Sequence, residues 1–280
     1  MSDLPNELVV DELGAGTYQV RHPGSDPEGR DVVFSGQVLA QMIMAADHAV
    51  GGEKETKSVH AIFARAGTYT QPMYLQLETM HSGRAWASHT ITATQNDKLM
   101  SRGLVLMNAV EPDLIRHGPA MPDVPGPDGL ASSDMLVFEG VETRPIDAPD
   151  AVAPDGTPAM HFWMRYERSL PSLAANQAIL VWSQPGMIIG LAMRPHREQV
   201  DISQAHRSIS TGVIDHIAHF HEPVDVSQWL LVSQQATYAG RGRVYGSGAV
   251  FTQDGRLVST FSQDAMVRGV EGPLDPKRAM

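Results

Sequence analysis

The chain contains no cysteine. That excludes a disulfide framework, a thiol nucleophile and a thiolate metal site, and it fits a cytoplasmic protein. Long apolar runs are missing as well. No stretch approaches the roughly 18 residues that span a bilayer, and the opening MSDLPNELVVDELG has no basic region followed by an apolar block, so neither a membrane span nor a signal peptide is expected. Basic residues are in deficit: 21 Lys and Arg stand against 32 Asp and Glu, a formal net charge of -11. A general nucleic-acid binder needs basic footprints on phosphates, so that class is excluded. An anionic small ligand is not, because a few local cations suffice to hold it. The phosphate-cradling glycine motifs are absent too. So is the Gly-x-Ser-x-Gly elbow of serine hydrolases. Tyr245-Gly246-Ser247-Gly248 resembles it only in part and lies between strand-like segments, where glycines permit tight curvature.

What is present is an ordinary globular composition, 42% hydrophobic over 280 residues, enough for one large domain or two of usual size. Phe34 to Val50, FSGQVLAQMIMAADHAV, has helical spacing: Val38, Met42, Ala45 and Ala49 share a face. Ser35-Gly36 is a plausible cap region and Gly51-Gly52 a stop. Strand-like segments follow at 58–63, 73–79, 85–95 and 99–109, with Asn96-Asp97 as a turn. From Glu111 to Asp134 the density of proline and glycine rules out a helix or central strand, which makes this a linker. A looser proline-rich stretch runs from Pro145 to Pro158.

The second half repeats the first. Pro171 to Ser183 is another apolar helix. Strand-like segments follow at 208–217, 229–235, 243–252 and 257–266, with Asp254-Gly255 as a hairpin turn. Thr94-Gln95-Asn96-Asp97-Lys98-Leu99 resembles Thr252-Gln253-Asp254-Gly255-Arg256-Leu257. Internal duplication is an architectural signal. The expected architecture is α+β: residues 1–110 and 134–280 as two helix-plus-antiparallel-sheet modules, joined by a linker at 111–133.

A helix wrapped by a curved antiparallel sheet is the hotdog fold, and several segments resemble the type II acyl-CoA thioesterases, which are double hotdogs. These are FSGQVLAQ at 34–41, SVHAIFARAG at 58–67, SGRAWASHTITATQNDK at 82–98, the linker EPDLIRHGPAMPDVPGPDGL, IDHIAHFHEP at 214–223 and FTQDGRLVSTFSQDAMVR at 251–268. Each alone is weak; their order along most of the chain makes the resemblance specific. It implies hydrolysis of fatty acyl-CoA to free acid and coenzyme A, by a water held between an Asp, a Ser or Thr, and a Gln, with no cofactor, no metal and no covalent intermediate. It also implies acyl-CoA as partner and association into homo-oligomers.

Carried over residue by residue, the family's Gln-x-x-x-x-Arg strand falls on Gln263 and Arg268. The hydroxyl position, two residues before an Asp-His pair, falls on Val213. The acid position after the second helix falls on Gln184, or on Pro185 if Pro195-His196 sets the register. Thr211 lies two residues before Val213 and so shares its face, which makes it a candidate displaced hydroxyl. Gln263, Gln184 and Thr211 are the candidate catalytic residues. Gly36, Gln37 and His60 are the candidate substrate-binding positions. Two amides supply no general base. The chain is therefore expected to be a slow thioesterase, one with a relocated acid, or an acyl-CoA-binding protein that no longer hydrolyses its ligand. Asp215 is the nearest carboxylate. The crowd of His216, His219 and His221 does not make a metal site, because on a strand His216 faces away from the other two. His216 and His60 are expected to be structural or hydrogen-bonded.

Overall fold

A computed structural model describes residues 5–22, 31–136, 139–148, 151–201 and 208–269. Helix α1 (Ser35–Ala49) is buried without a break from Gly36 to Ala46. A helix that is apolar on every side belongs inside, and here one sheet encloses it. Leu39, Met42 and Ile43 are fully buried, each contributing about 1.5–3 kcal/mol through the apolar surface removed from water. Two glutamines interrupt this run. Gln41 donates to the carbonyls of Glu7 and Arg21, and Gln37 reaches the Arg21 carbonyl and His22 Nδ1, so both tie the N-terminal segment to the helix. The helix differs from expectation at both ends. Phe34, not Ser35, is the N-cap residue and has no side-chain cap, and Ala49 is exposed rather than on the core face. Gly51 and Gly52 both adopt positive φ and end the helix as read.

The twelve strands among the described residues form one sheet. In chain order they are β1 (Val10–Gly14), β2 (Thr17–Val20), β3 (Glu55–Phe63), β4 (Met73–Ser82), β5 (Trp86–Gln95), β6 (Lys98–Asn108), β7 (Val141–Pro145), β8 (Ala159–Tyr166), β9 (Ile209–Phe220), β10 (Leu230–Gly240), β11 (Arg243–Thr252) and β12 (Leu257–Gly269). Their order across the sheet is β1-β2-β4-β5-β6-β3-β9-β12-β11-β10-β8-β7. Each half thus follows the same path: two strands, a helix, a central strand, then a three-strand meander. The halves meet where β3 pairs antiparallel with β9, from Ser58↔His219 to Ile62↔Asp215. Helix α2 (Leu173–Trp182), capped by Ser172 Oγ accepting from Ala175 N–H, packs against α1 inside the curve of the sheet. This is the double hotdog.

Four strands and a short helix, α3 (Met187–Met193), were not expected. Strand β1 is an edge with almost every residue exposed, so it carries no alternation. Strand β8 is largely buried on both faces, so its apolar residues, broken only by His161 and Arg165, show no alternation. Its second face is covered by the linker: Trp163, Leu231 and Phe251 form a separate small core with Met121, Val124, Leu130 and Ile146. Trp163 Nε1–H donates to the Pro125 carbonyl at 2.8 Å. Between 146 and 158 the described residues form no strand, though residues 149–150 of that proline-rich stretch lie outside the description.

Candidate active site

Gln263 lies on β12 opposite His216 on β9. Direct cross-strand partners have Cβ atoms about 4.5–5.5 Å apart on one face. Both residues are fully buried and face the helices. The connection after α2 crosses above them. Its Gly186 N–H donates to Gln263 Oε1 at 3.0 Å, and Gln184 Oε1 lies 3.1 Å from His216 Nε2. Gln184 Nε2 also reaches Ser259 Oγ at 3.5 Å. Gly186 sits at φ +98°, a conformation that favours glycine. The His216 ring stacks on Phe261, with centroids 5.8 Å apart. Burial pushes its pKa down to about 3, Gln263 offsets this in part, and His60 adds to the lowering. The ring is therefore neutral at physiological pH.

The N-terminus of α1 meets this connection. A Cβ on Gly36 would stand 2.2 Å from the Trp182 carbonyl oxygen and 2.8 Å from the Phe34 ring. Only glycine admits that approach, two residues before Gln184. The Phe34 ring also lies over Gly186. On β11, Gly246 leaves room for Ile188 of α3 and Gly248 for the Phe261 ring, so these glycines serve close packing.

The structure brings Gln263, Gln184 and Gly36 to one place. It does not bring Thr211 there. The β9–β12 register shifts between Asp264↔Asp215 and Ala265↔Val213, so Ile214 is a bulge. The bulge turns Val213 and Thr211 to the same face as His216. Thr211 opposes Val267, however, four rungs from Gln263, which is roughly 13 Å along the strand. His60 points to the opposite face of the sheet, where its Nε2 meets Asp215 Oδ1 at 2.5 Å. Gln37 turns its Nε2 to the Arg21 carbonyl and His22 Nδ1, and its Oε1 has no partner. Two residues of the site were not named from the sequence: Ser259, and His216 as more than a structural group. Period-two alternation back from Gln263 through Phe261 places Ser259 on the inner face. Among the described residues no cluster of three or more His, Asp or Glu is grouped to hold a metal.

Residues 22–108 match the model of the acyl-CoA thioesterase N-terminal domain, and residues 116–267 that of the acyl-CoA thioesterase C-terminal domain. The chain belongs to the type II acyl-CoA thioesterase family. It is 24% identical to acyl-CoA thioesterase 2 of Haemophilus influenzae, over 96% of this chain and 99% of that protein. With human acyl-coenzyme A thioesterase 8 it shares 23%, over 84% of this chain and 80% of that one. Among solved structures it resembles the acyl-CoA thioesterase II TesB2 of Mycobacterium marinum, with a TM-score of 0.80 at 23% identity, covering 96% of this chain and 98% of that one. This thioesterase family member has no helix among its described residues long and apolar enough to cross a membrane.

Proposed function

We propose that the chain hydrolyses fatty acyl-CoA to a free acid and coenzyme A, with water as nucleophile. The observation that carries this reading is Gln263. It sits fully buried in the family's strand motif, its Oε1 is fixed by Gly186 N–H, and its Nε2 has no partner. A buried amide donor without a partner is costly, and a water that becomes the nucleophile would satisfy it. Water attacks the thioester carbonyl, negative charge develops on the carbonyl oxygen, and collapse of that intermediate expels the coenzyme A thiolate. The first turn of α1, where Gly36 packs against the Trp182 carbonyl ahead of Gln184, offers stabilisation for that charge. The amides of Gln37 and Val38 there donate to the Phe34 carbonyl, and the helix dipole places partial positive charge at this end.

The resemblance implies an acid at Gln184 or Pro185, neither of which is one, and this supports a second reading: a protein that binds acyl-CoA without turning it over. Thiol release from acyl-CoAs of short, medium and long chain, set beside binding by calorimetry, separates the two. Release above the uncatalysed rate supports the hydrolase; binding alone supports the second reading. The absence of cysteine supports a cytoplasmic location. Exposed Ile62, Trp86, Leu104 and Leu106 on the outer face of β3, β5 and β6 support self-association, since apolar patches mark interaction surfaces.

A further inference from the structure

Among the described residues no carboxylate hydrogen-bonds to Gln184, Gln263 or His216, so the reaction needs another group to accept the proton of the attacking water. Two polar atoms at the site are buried and without a partner: His216 Nδ1 and Gln263 Nε2. They are of opposite kind. Gln184 Oε1 accepts from His216 Nε2–H at 3.1 Å, and a neutral imidazole carries one ring proton, so Nδ1 presents a lone pair. Gln263 Oε1 is occupied by Gly186 N–H, so Nε2 presents donors. The two side chains are cross-strand partners on the inner face. One donor and one acceptor on paired residues of a buried site are the two kinds of group that a single water molecule would bridge.

We propose that His216, through Nδ1, is the general base that deprotonates the nucleophilic water, a role that rests on the hydrolase reading above. Gln263 Nε2–H holds the water oxygen while Nδ1 takes its proton. The oxygen's electron pair forms the new C–O bond, and the carbonyl π pair moves to oxygen. Collapse breaks the C–S bond, and the imidazolium proton passes to the departing thiolate. Gln184 is a positioning residue: its carbonyl fixes the tautomer that leaves Nδ1 free, the task a second-sphere acceptor performs for histidines elsewhere. Burial leaves the ring about as basic as an ordinary aspartate, whose pKa is about 3.9. The strands and connection around the ring present Ala61, Phe261, Gln263 and Gln184. The titratable groups nearby are His60 and Asp215, paired on the far face of the sheet.

The test is His216→Gln. Its amide reaches the Nε2 position and keeps the donor to Gln184, but has no lone pair where Nδ1 stood. The expected result is a fall in kcat of about 10²–10⁴-fold with KM unchanged. Retention of the wild-type kcat would overturn the assignment while leaving the hydrolase reading intact; absence of turnover in the wild type removes both. Nitrogen-15 spectra of the histidines in the wild-type protein give a check that does not depend on the variant folding. The proposal expects His216 protonated on Nε2 and bare on Nδ1, and a proton on Nδ1 overturns it.

Discussion

His216 makes the fold sensitive to acid by an amount that follows from its burial. Its folded-state pKa is about 3, against about 6.5 in an unfolded chain. The unfolded state therefore binds a proton that the folded state refuses, at any pH between the two values. The contribution of this histidine is complete above about pH 6.5 and is lost progressively as pH falls toward 3. From the two pKa values the loss is roughly 2 kcal/mol at pH 5, and roughly 5 kcal/mol once pH is below both. Urea unfolding at neutral pH and at pH 5 reads it. Wild type and His216→Gln have different stabilities at neutral pH, so the measured quantity is the drop on acidification. That drop is smaller in the variant by roughly 2 kcal/mol at pH 5. His22, His89 and His221 are also pushed down, foremost by burial, and they contribute equally to both proteins. Parallel losses in wild type and variant would refute the reasoning.

Gly36→Ala sets a methyl 2.2 Å from the Trp182 carbonyl. Its overpacking cost of about 1–3 kcal/mol exceeds the roughly 1 kcal/mol that alanine gains over glycine in a helix, so denaturation shows a net loss. Trp163→Phe keeps most of the ring but orphans the Pro125 carbonyl. About 1 kcal/mol of stability is lost, and limited proteolysis finds the linker cut faster than in the wild type. Leu104→Glu places a charge on the exposed apolar face of β6. Light scattering registers a smaller assembly than the wild type, with the fold unchanged by circular dichroism.

Most of the architecture is legible because both halves keep their alternation where one face meets helices and the other meets water, as in β5 and β12. The exceptions have physical causes. The linker buries the outer face of β8 and so erases the period that marks a half-buried strand. The edge strand β1 has no buried face to mark. At the site, motif and helix end single out Gln263 and Gln184, and the structure sets both beside His216. Thr211 shows where local pattern stops: parity fixes a face but not a rung, and the bulge at Ile214 and the pairing with β12 appear only once the strands are in register. His216 carried no signal of its own, since its place opposite Gln263 is a contact between segments 47 residues apart in sequence.

The most direct test of the account is thiol release from an acyl-CoA panel by the wild type and by Gln263→Ala. The account predicts turnover by the wild type on at least one chain length, and a fall of about 10²-fold or more when the amide that holds the water is removed. Equal rates for the two proteins would contradict it.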